Sequence, residues 1–397
     1  MTMTRHINRW MLLLLTVLLT SCGSKEEEVV IEEDCYLDIY VYAPDRPIVT
    51  RAEVGDIKAA DAEKEVKSLK IWVFRYGDAA GAKAVGYLNP DAAFLNMNGQ
   101  QKFQLMLNRE FANNPGSVDV YVVANEGDCV TTTLGENTTL GENTTRAELD
   151  AAVIGTDYFG ASSPLTSEVP STGLPMSAML KNQPVSGKFP TLRVGTEEQM
   201  ATLQLTRAVS KVRFVICRIK EEGNSTKTLK SIDNISLDAG QIPMESWLIA
   251  RTSPGYSYVT DAISYGGVAE ADVATKIPQV EDPLKYVYET QSAQDYENLI
   301  DEAISDGNLY EFARTYYRES DKQLKGTIQY TYTDGNTDTQ TTAEFSMAAP
   351  GDFLRNHSWI VYIYFMDSKI HVLTVTHIGM KKWISDGVNE TVTFYNW

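Results

Sequence analysis

The sequence predicts an all-β protein built from two β-sandwich domains with few short helices. Three observations support this: short runs of β-branched and aromatic residues, turn-forming residues between the runs, and very little helical periodicity. A chain of 397 residues is too long for one typical domain, and a hydrophobic content of 43% with 21 tyrosines supports sizeable cores. The scarcity of helices argues against a parallel α/β fold.

The first 22 residues have the layout of an export signal. Arg5 and Arg9 form a positive segment, an apolar run over residues 11–20 follows, and small residues stand directly before Cys22. The apolar run is too short to span a bilayer, which takes about 20 residues. The pattern resembles a bacterial lipoprotein signal, in which the thiol of Cys22 is acylated and becomes the new N-terminus. An ordinary secretory signal is the alternative.

The net charge of the chain restricts the classes of molecule that it is expected to bind. Without residues 1–21 the chain loses Arg5 and Arg9, which moves its formal charge from -18 to -20. Such an acidic surface argues against nucleic acid and anionic lipid headgroups as partners.

Three consecutive glutamates after Cys22 form a polar tether that resembles surface-export signals of lipoproteins in some Gram-negative anaerobes. We therefore expect a protein at the cell surface, held at first in the outer membrane by its lipid.

Six runs of β-branched and aromatic residues predict strands. They lie at residues 37–42, 69–74, 118–124, 211–217, 360–365 and 371–376. A hairpin is predicted over residues 326–347, because Asp334 and Gly335 favour the positive φ angles of a tight turn. Residues 293–304 have apolar side chains at helical spacing and predict an amphipathic helix over a sheet edge or end.

Two local features bear on domain organisation. The best boundary lies near residue 200, after a Ser-, Pro- and Gly-rich stretch at residues 162–190 and before a strand that begins at Thr202. The hexapeptide TLGENT occurs twice in succession, at residues 133–138 and 139–144. Its Gly, Asn and Thr residues predict a surface loop that tolerates insertion.

The residues that usually carry catalysis or bind cofactors form no recognisable motif. The sequence has no H-E-x-x-H, Gly-x-Ser-x-Gly, Walker A, G-x-G-x-x-G or C-x-x-C pattern and no EF-hand loop. The four cysteines, Cys22, Cys35, Cys129 and Cys217, have no spacing typical of disulfide frameworks or zinc sites. We therefore expect that the protein is not an enzyme and binds no metal, and that its only attached group is the lipid on Cys22. The other cysteines are expected to be buried free thiols. An enzyme with dispersed carboxylates is the weakest alternative.

A short segment after the first predicted strand is suited to proteolysis. Arg51 follows β-branched residues and precedes the small Ala52 and a polar stretch. Arg46 is a poorer site for trypsin-like enzymes, because Pro47 fixes φ and lacks an amide N–H. Arg51-Ala52 is therefore the predicted site for an arginine-specific protease, and an ordinary linker arginine is the alternative.

Together, these segments resemble the fimbrillin family, the type V pilus subunits of Gram-negative anaerobes. The resemblance includes the lipoprotein leader and follows one order along nearly the whole chain. Its residues lie at 50–52, 69–74, 121–126, 174–177, 205–212, 286–289 and 354–359.

The resemblance implies two transthyretin-like β-sandwiches that assemble by strand donation. In the family, an arginine-specific protease removes the lipidated N-terminal strand, and the C-terminal segment of another subunit fills the groove left behind. For this chain it implies a signal peptide (1–21), a propeptide (22–51), and sandwich domains at 52–200 and 201–397. Removal of residues 22–51 moves the formal charge from -20 to -15 and takes away the lipid.

The C-terminal segment from about residue 383 is the predicted donor strand. Its strand-like residues are Val388, Val392 and Phe394 on one parity, and Trp397 on the other. A last strand within its own domain is an alternative for part of this segment. The predicted function is that of a structural subunit of an adhesive fimbria, with other subunits and the protease as partners. A lipid-retaining pilus anchor, or a monomeric lipoprotein that binds glycan or host protein through aromatics such as Trp247 or Tyr256, are the alternatives.

Overall fold

The computed structural model is mostly β-sheet, which confirms the predicted all-β class. It describes residues 34–42, 61–95, 100–127, 130–132, 140–154, 169–219, 226–251, 255, 257–283, 285–288, 293–348, 353–376, 379–383 and 389–392. The strands β1 to β12 are Tyr36–Tyr42, Leu69–Arg75, Gly86–Leu88, Gln100–Met106, Val118–Ala124, Val130–Thr132, Ala152–Ile154, Met176–Gln183, Val185–Lys188, Thr191–Val194, Thr202–Gln204 and Thr206–Arg207. The strands β13 to β24 are Val209–Ile219, Lys227–Leu237, Ser246–Trp247, Ile263–Ser264, Gln279–Val280, Tyr310–Arg318, Leu324–Asp334, Thr337–Ala348, Ser358–Met366, Lys369–Thr376, Gly379–Trp383 and Asn389–Val392.

Helices in the described residues are few and mostly short. The α-helices α1 to α6 are Asp61–Lys64, Arg109–Asn113, Arg146–Asp150, Glu270–Lys276, Lys285–Tyr288 and Ala293–Ser305, and Ala92–Phe94 is a 3-10 turn. All six predicted strands, the hairpin turn at Gly335 (φ 62°) and the helix predicted from residue 293 are present.

The first sandwich packs two five-stranded sheets on one core. In the front sheet, β4 pairs with one edge of β1, β10 and β11 pair with the other edge, and β9 pairs with β10. The back sheet has the order β12-β8-β5-β2-β3. Inward side chains of both sheets share one hydrophobic cluster. This cluster extends to Leu203, Leu205 and Val209, so packing against the first core continues a few residues beyond the predicted boundary near 200.

A third layer covers the outer face of the back sheet. Residues 140–154 lie over it, where Trp72 Nε1 donates to the Gly141 carbonyl at 2.8 Å and the Tyr121 hydroxyl donates to Asp150 at 3.1 Å. Every side chain of β5 is consequently buried. A strand that is covered on both faces has a continuously apolar sequence, whereas a strand covered on one face alternates between apolar and polar residues.

The second sandwich repeats this plan. A seven-stranded sheet of order β17-β13-β21-β22-β23-β24, with β18 also paired to β13, packs on a four-stranded sheet of order β16-β14-β19-β20. Helix α6 lies over the outer face of the larger sheet, where Ile300 and Ala303 pack with Val215, Cys217 and residues of β21 and β22. The expectation that this helix covers a sheet edge or end was wrong. Continuous apolar strands such as β21 need a cover on their second face, and the helix provides it.

The two sandwiches are joined by buried hydrogen bonds. Strand β15 pairs with β7 in a small third sheet that also contains β6. The fully buried guanidinium of Arg318, in the second sandwich, donates to the Ile154 carbonyl of β7 at 3.4 Å. The Leu248 carbonyl, next to β15, accepts from the Ser177 hydroxyl of β8 at 2.7 Å and from Arg355 at 2.9 Å. Burial lowers the pKa of Arg318 to about 10, so the guanidinium still carries its charge at neutral pH.

Part of the second copy of the TLGENT repeat is packed into the core. Leu140 is 3% exposed and lies in the first hydrophobic cluster, and its carbonyl accepts from Lys70 Nζ at 2.6 Å. Thr145, directly after the repeat, caps α3 reciprocally with Glu148. The expectation of a surface loop was therefore wrong for Leu140 and Thr144, which are buried, whereas Glu142 and Asn143 form an exposed turn. The first copy, residues 133–138, lies outside the described residues.

The repeat gives a stability prediction. Leu140→Ala should lower the free energy of unfolding by about 2–3 kcal/mol, because it empties a buried site under the back sheet. Deleting residues 133–138 keeps the packed copy and should change stability by less than about 1 kcal/mol. Urea unfolding measures both variants. An equal loss in the two would contradict a structural role confined to the second copy.

Candidate functional site: the slot that holds the first strand

Strand β1 lies inside the front sheet with a neighbour on each edge. It pairs antiparallel with β4 along all seven of its residues. On the other edge it pairs in parallel with β10 through residues 36–38 and with β11 through residues 40–42. Among the described strands, β4 joins this sheet only through β1, and so does β11. Without β1, the front sheet therefore separates into three pieces with unpaired edges.

The inner face of β1 is part of the first core. Leu37, Ile39 and Val41 are each at most 1% exposed. The pairing places Leu37 between Leu105 and Leu192, while Phe103 lies opposite Ile39 and Leu203 opposite Val41. Burial of one such side chain contributes about 1.5–3 kcal/mol, so the strand is held by several kcal/mol of packing as well as by its hydrogen bonds.

The outer face of β1 is polar and partly open. Asp38 forms an ion pair with Lys102 at 2.7 Å and accepts a hydrogen bond from Gln104 at 3.2 Å. The hydrogen bond to Asp38 raises the pKa of Lys102. Tyr36 and Tyr40 share this half-buried face. The alternation in the sequence of β1 therefore reflects one packed face and one solvent-facing one.

Backbone hydrogen bonds close both ends of the slot. The Leu107 N–H donates to the Cys35 carbonyl at 2.9 Å, and the Tyr36 N–H donates to the Pro190 carbonyl at 2.8 Å. At the far end, the Leu205 N–H donates to the Tyr42 carbonyl at 3.0 Å. The slot is thus defined along its whole length by the backbone of β4, β10 and β11 and by the residues next to them.

Cys35 is a buried free thiol on the inner face at the start of the strand. Its side chain is 3% exposed, and burial raises its pKa. Cys217 is the other free thiol in the described residues, and burial under α6 raises its pKa to about 12. The expectation of buried free thiols is confirmed for these two cysteines. Cys129 lies outside the described residues.

The predicted processing and donor residues are only partly within the described residues. Cys22, Arg51 and Ala52 lie outside them, as do Val388, Phe394 and Trp397. Val392 lies on β24 opposite Met380 of β23, at the end of the larger sheet of the second sandwich. The role of each of these residues stays a prediction.

Of the neighbours of β1, β11 was predicted as a strand that begins at Thr202, but β4 and β10 were not recognised in the sequence. Strand β4 is polar at every second position, β10 has four residues and β11 has three. The alternation of Phe103 and Leu105 was the available signal for β4. Strands as short as β10 and β11 carry no periodicity, so their place beside β1 follows from tertiary packing alone.

Other kinds of site receive little support from the described residues. They contain no group of His, Cys, Asp and Glu arranged to hold a metal ion, and no helix long and apolar enough to cross a membrane.

Trp247 is one of the aromatic residues that the alternative of saccharide binding would use. The guanidinium of Arg251 lies over its ring, 3.4 Å from the ring centroid. That face of the indole is therefore already covered. Tyr256 lies outside the described residues.

The comparisons with known proteins agree with this architecture. Residues 48–207 match the family described as major fimbrial subunit protein (FimA), a range that starts just before Arg51 and contains most of the first sandwich. The match confirms the resemblance to fimbrial subunits and supports a structural role in a fimbria. No curated protein matches the chain.

Solved structures extend the comparison to the whole fold. A candidate cell adhesion protein from Parabacteroides distasonis has a TM-score of 0.50 and 13% identity, over 86% of this chain and 97% of that one. One from Bacteroides eggerthii has a TM-score of 0.47 and 13% identity, over 87% and 95% of the two chains. The C-terminally truncated tip fimbrial protein Mfa3 from Porphyromonas gingivalis has a TM-score of 0.41 and 16% identity, over 87% and 99%. At 13% identity, the TM-score of 0.50 shows that the Parabacteroides distasonis protein and this chain share a fold.

The slot gives a direct test of how β1 is held. Ile39→Ala should lower the free energy of unfolding of the full chain by about 2–5 kcal/mol, because it leaves a cavity opposite Phe103. Tyr40→Ala on the outer face is the matched control and should cost less. Urea denaturation of both variants provides the comparison, and similar losses would argue against one-sided packing of this strand.

Proposed function

We propose that this chain is a subunit of a cell-surface fimbria that polymerises by exchange of β1 for a strand from another subunit. The position of β1 is the observation that supports this most strongly. The strand precedes Arg51 in the sequence, so one cut after Arg51 disconnects it from the rest of the chain. It is also the strand to which β4, β10 and β11 all pair. Its departure therefore leaves a slot that only another strand fills.

The sequence supplies the remaining steps of the proposal. The signal at residues 1–21 exports the chain, and the lipid on Cys22 holds it at the outer membrane. An arginine-specific protease then cuts between Arg51 and Ala52, which frees the lipidated segment 22–51. The C-terminal segment from about residue 383 of a neighbouring copy or another fimbrial subunit enters the slot and pairs with β4. Backbone pairing supplies affinity, and alternate side chains fix the register.

The reactivity of the Cys35 thiol reports whether β1 fills the slot. While β1 fills the slot, Cys35 is buried with a raised pKa, so it should resist alkylation at pH 8. A strand that has left the slot should be alkylated at Cys35 at the rate of an exposed thiol. Cys217 stays in the second sandwich and is the internal control. Mass spectrometry of alkylated peptides during assembly measures both, and unchanged protection of Cys35 in polymers would contradict the release of β1.

The maturation step is tested at the N-terminus of protein taken from the cell surface. The expected first residue is Ala52, and Arg51→Ala should leave the chain lipidated and monomeric. A lipid-blocked Cys22 in the surface protein would instead indicate an anchor subunit or a monomeric lipoprotein.

The donor segment is tested by truncation. A chain that lacks residues 388–397 should fold and be cut but should not extend fibres, because it brings no strand to the next slot. Thermal unfolding controls for folding, and electron microscopy of surface fibres is the readout. Fibres of normal length from the truncated chain would exclude this segment as the donor.

A further inference from the structure

The three strands that flank β1 carry positive charge and no negative charge. The residues of β4, β10 and β11 include Lys102 and Arg193 but no aspartate or glutamate. The chain as a whole has the opposite balance, with 53 acidic residues against 35 lysines and arginines. Strand β1 itself has one charged residue, Asp38. The charge of β1 is therefore complementary to the charge of the slot that holds it.

Strand β4 engages both carboxylate oxygens of Asp38. Oδ2 lies 2.7 Å from the ammonium of Lys102, and Oδ1 accepts a hydrogen bond from the side chain of Gln104 at 3.2 Å. Only 13% of the Asp38 side chain is exposed. Solvent and salt therefore screen this ion pair less than they screen a pair on the open surface.

Arg193 is the neighbour of Asp38 on the other edge of β1. The two residues are register partners in the parallel pairing of β1 with β10, and neighbouring strands lie about 4.8 Å apart. The residues on either side of Arg193 are buried, so its half-buried side chain lies on the outer face with Asp38. Its guanidinium donates to the Ser186 hydroxyl at 3.2 Å and to the Glu197 carbonyl at 2.7 Å. These acceptors are neutral, so they orient the guanidinium without compensating its charge.

The other outward positions of β1 have different surroundings. Tyr36 is paired with a methionine and a threonine, and Tyr42 with two glutamines. Tyr40 lies opposite Lys102, whose ammonium is directed to Asp38, and has a threonine on its other edge. In this pairing, the position of Asp38 is thus the one with a cation on each side. A strand shifted by two residues would place its carboxylate elsewhere, so the same contacts favour one register.

We infer that the slot selects the incoming strand by the charge of one side chain. Lys102 and Arg193 favour a strand that carries a carboxylate in the place of Asp38, and they oppose a strand with lysine or arginine there. This inference rests on the proposed exchange of β1, because the two cations lose their partner only when β1 leaves. The predicted donor segment, residues 383–397, is compatible in composition, since it has two carboxylates and no lysine or arginine.

The test uses the full chain with the recognition sequence of a site-specific protease inserted between residues 43 and 60, so that it does not depend on cleavage at Arg51. Labelled peptides of residues 34–42 compete with β1 of the nicked chain during refolding from urea. The Asp38→Asn peptide should bind about tenfold more weakly than the unchanged peptide, and the Asp38→Lys peptide about a hundredfold more weakly. Fluorescence anisotropy measures the affinities. Both differences should shrink in about 0.5 M salt, because the ion pair is partly exposed.

Two variants of the chain make the result specific. Lys102→Glu removes one of the cations at a side chain that is 47% exposed, so the chain should fold. Its preference for the unchanged peptide over the Asp38→Lys peptide should fall below about tenfold. Lys188→Glu is the matched control, because this lysine lies on β9, which pairs with β10 and not with β1. It should keep the preference of the wild type.

Equal binding of the three peptides to the wild-type chain would overturn the inference. So would an equal loss of preference in Lys102→Glu and Lys188→Glu, which would indicate the general charge of the sheet instead of this position. The outcome is separable from that of the proposed function. If even the unchanged peptide never replaces β1, strand exchange fails and the inference fails with it. If all three peptides replace β1 equally well, exchange stands and only the selection by charge is excluded.

Discussion

The packing of one strand determines the organisation of the first sandwich. Leu37, Ile39 and Val41 fill the front of the core, while the backbone of the same strand joins β4 to β10 and β11. Removal of an edge strand leaves the rest of a sheet connected, but removal of β1 would leave three separate pieces. The strand is therefore structurally required and, because Arg51 follows it, separable by a single cut. This combination connects the fold with the proposed assembly.

Both sandwiches bury one of their sheets on two faces, and this explains where their charged groups lie. Residues 140–154 cover the back sheet of the first domain, and α6 covers the larger sheet of the second. Polar groups within these layers need internal partners. Arg213, only 1% exposed, is paired under α6 with Asp301 at 2.6 Å and Glu311 at 2.7 Å. Among the described residues no such layer lies over β1 in the front sheet of the first domain, and the outward side chains of this strand are half-buried.

Buried polar contacts help to define the junction between the sandwiches, together with apolar residues such as Leu248 and Ile249 that lie in the first core. Glu63, Arg318 and Arg355 all lie there, and each is satisfied by groups far away in sequence. Hydrogen bonds of this kind depend on direction, so they fix a relative position that apolar packing alone would leave adjustable. A fibre subunit that receives a strand in one domain and donates from the other transmits load through this junction. The contacts of Glu63 also hold α1, the first described element after the proposed cut.

The sequence by itself determined the class of fold and most of the long strands, because β-branched alternation and turn residues are local signals. The sequence of β1 alternates, as a strand with one packed face does, whereas the continuous runs of β5 and β21 do not reveal what covers them. Tertiary structure alone decided that β4, β10 and β11 flank β1, that Leu140 of the second TLGENT copy is packed, and that Glu63 pairs with Lys211 and Tyr316. These arrangements join residues as many as 253 positions apart. Local periodicity carries no information on such distant pairs, since they form only when the separate sheets pack together.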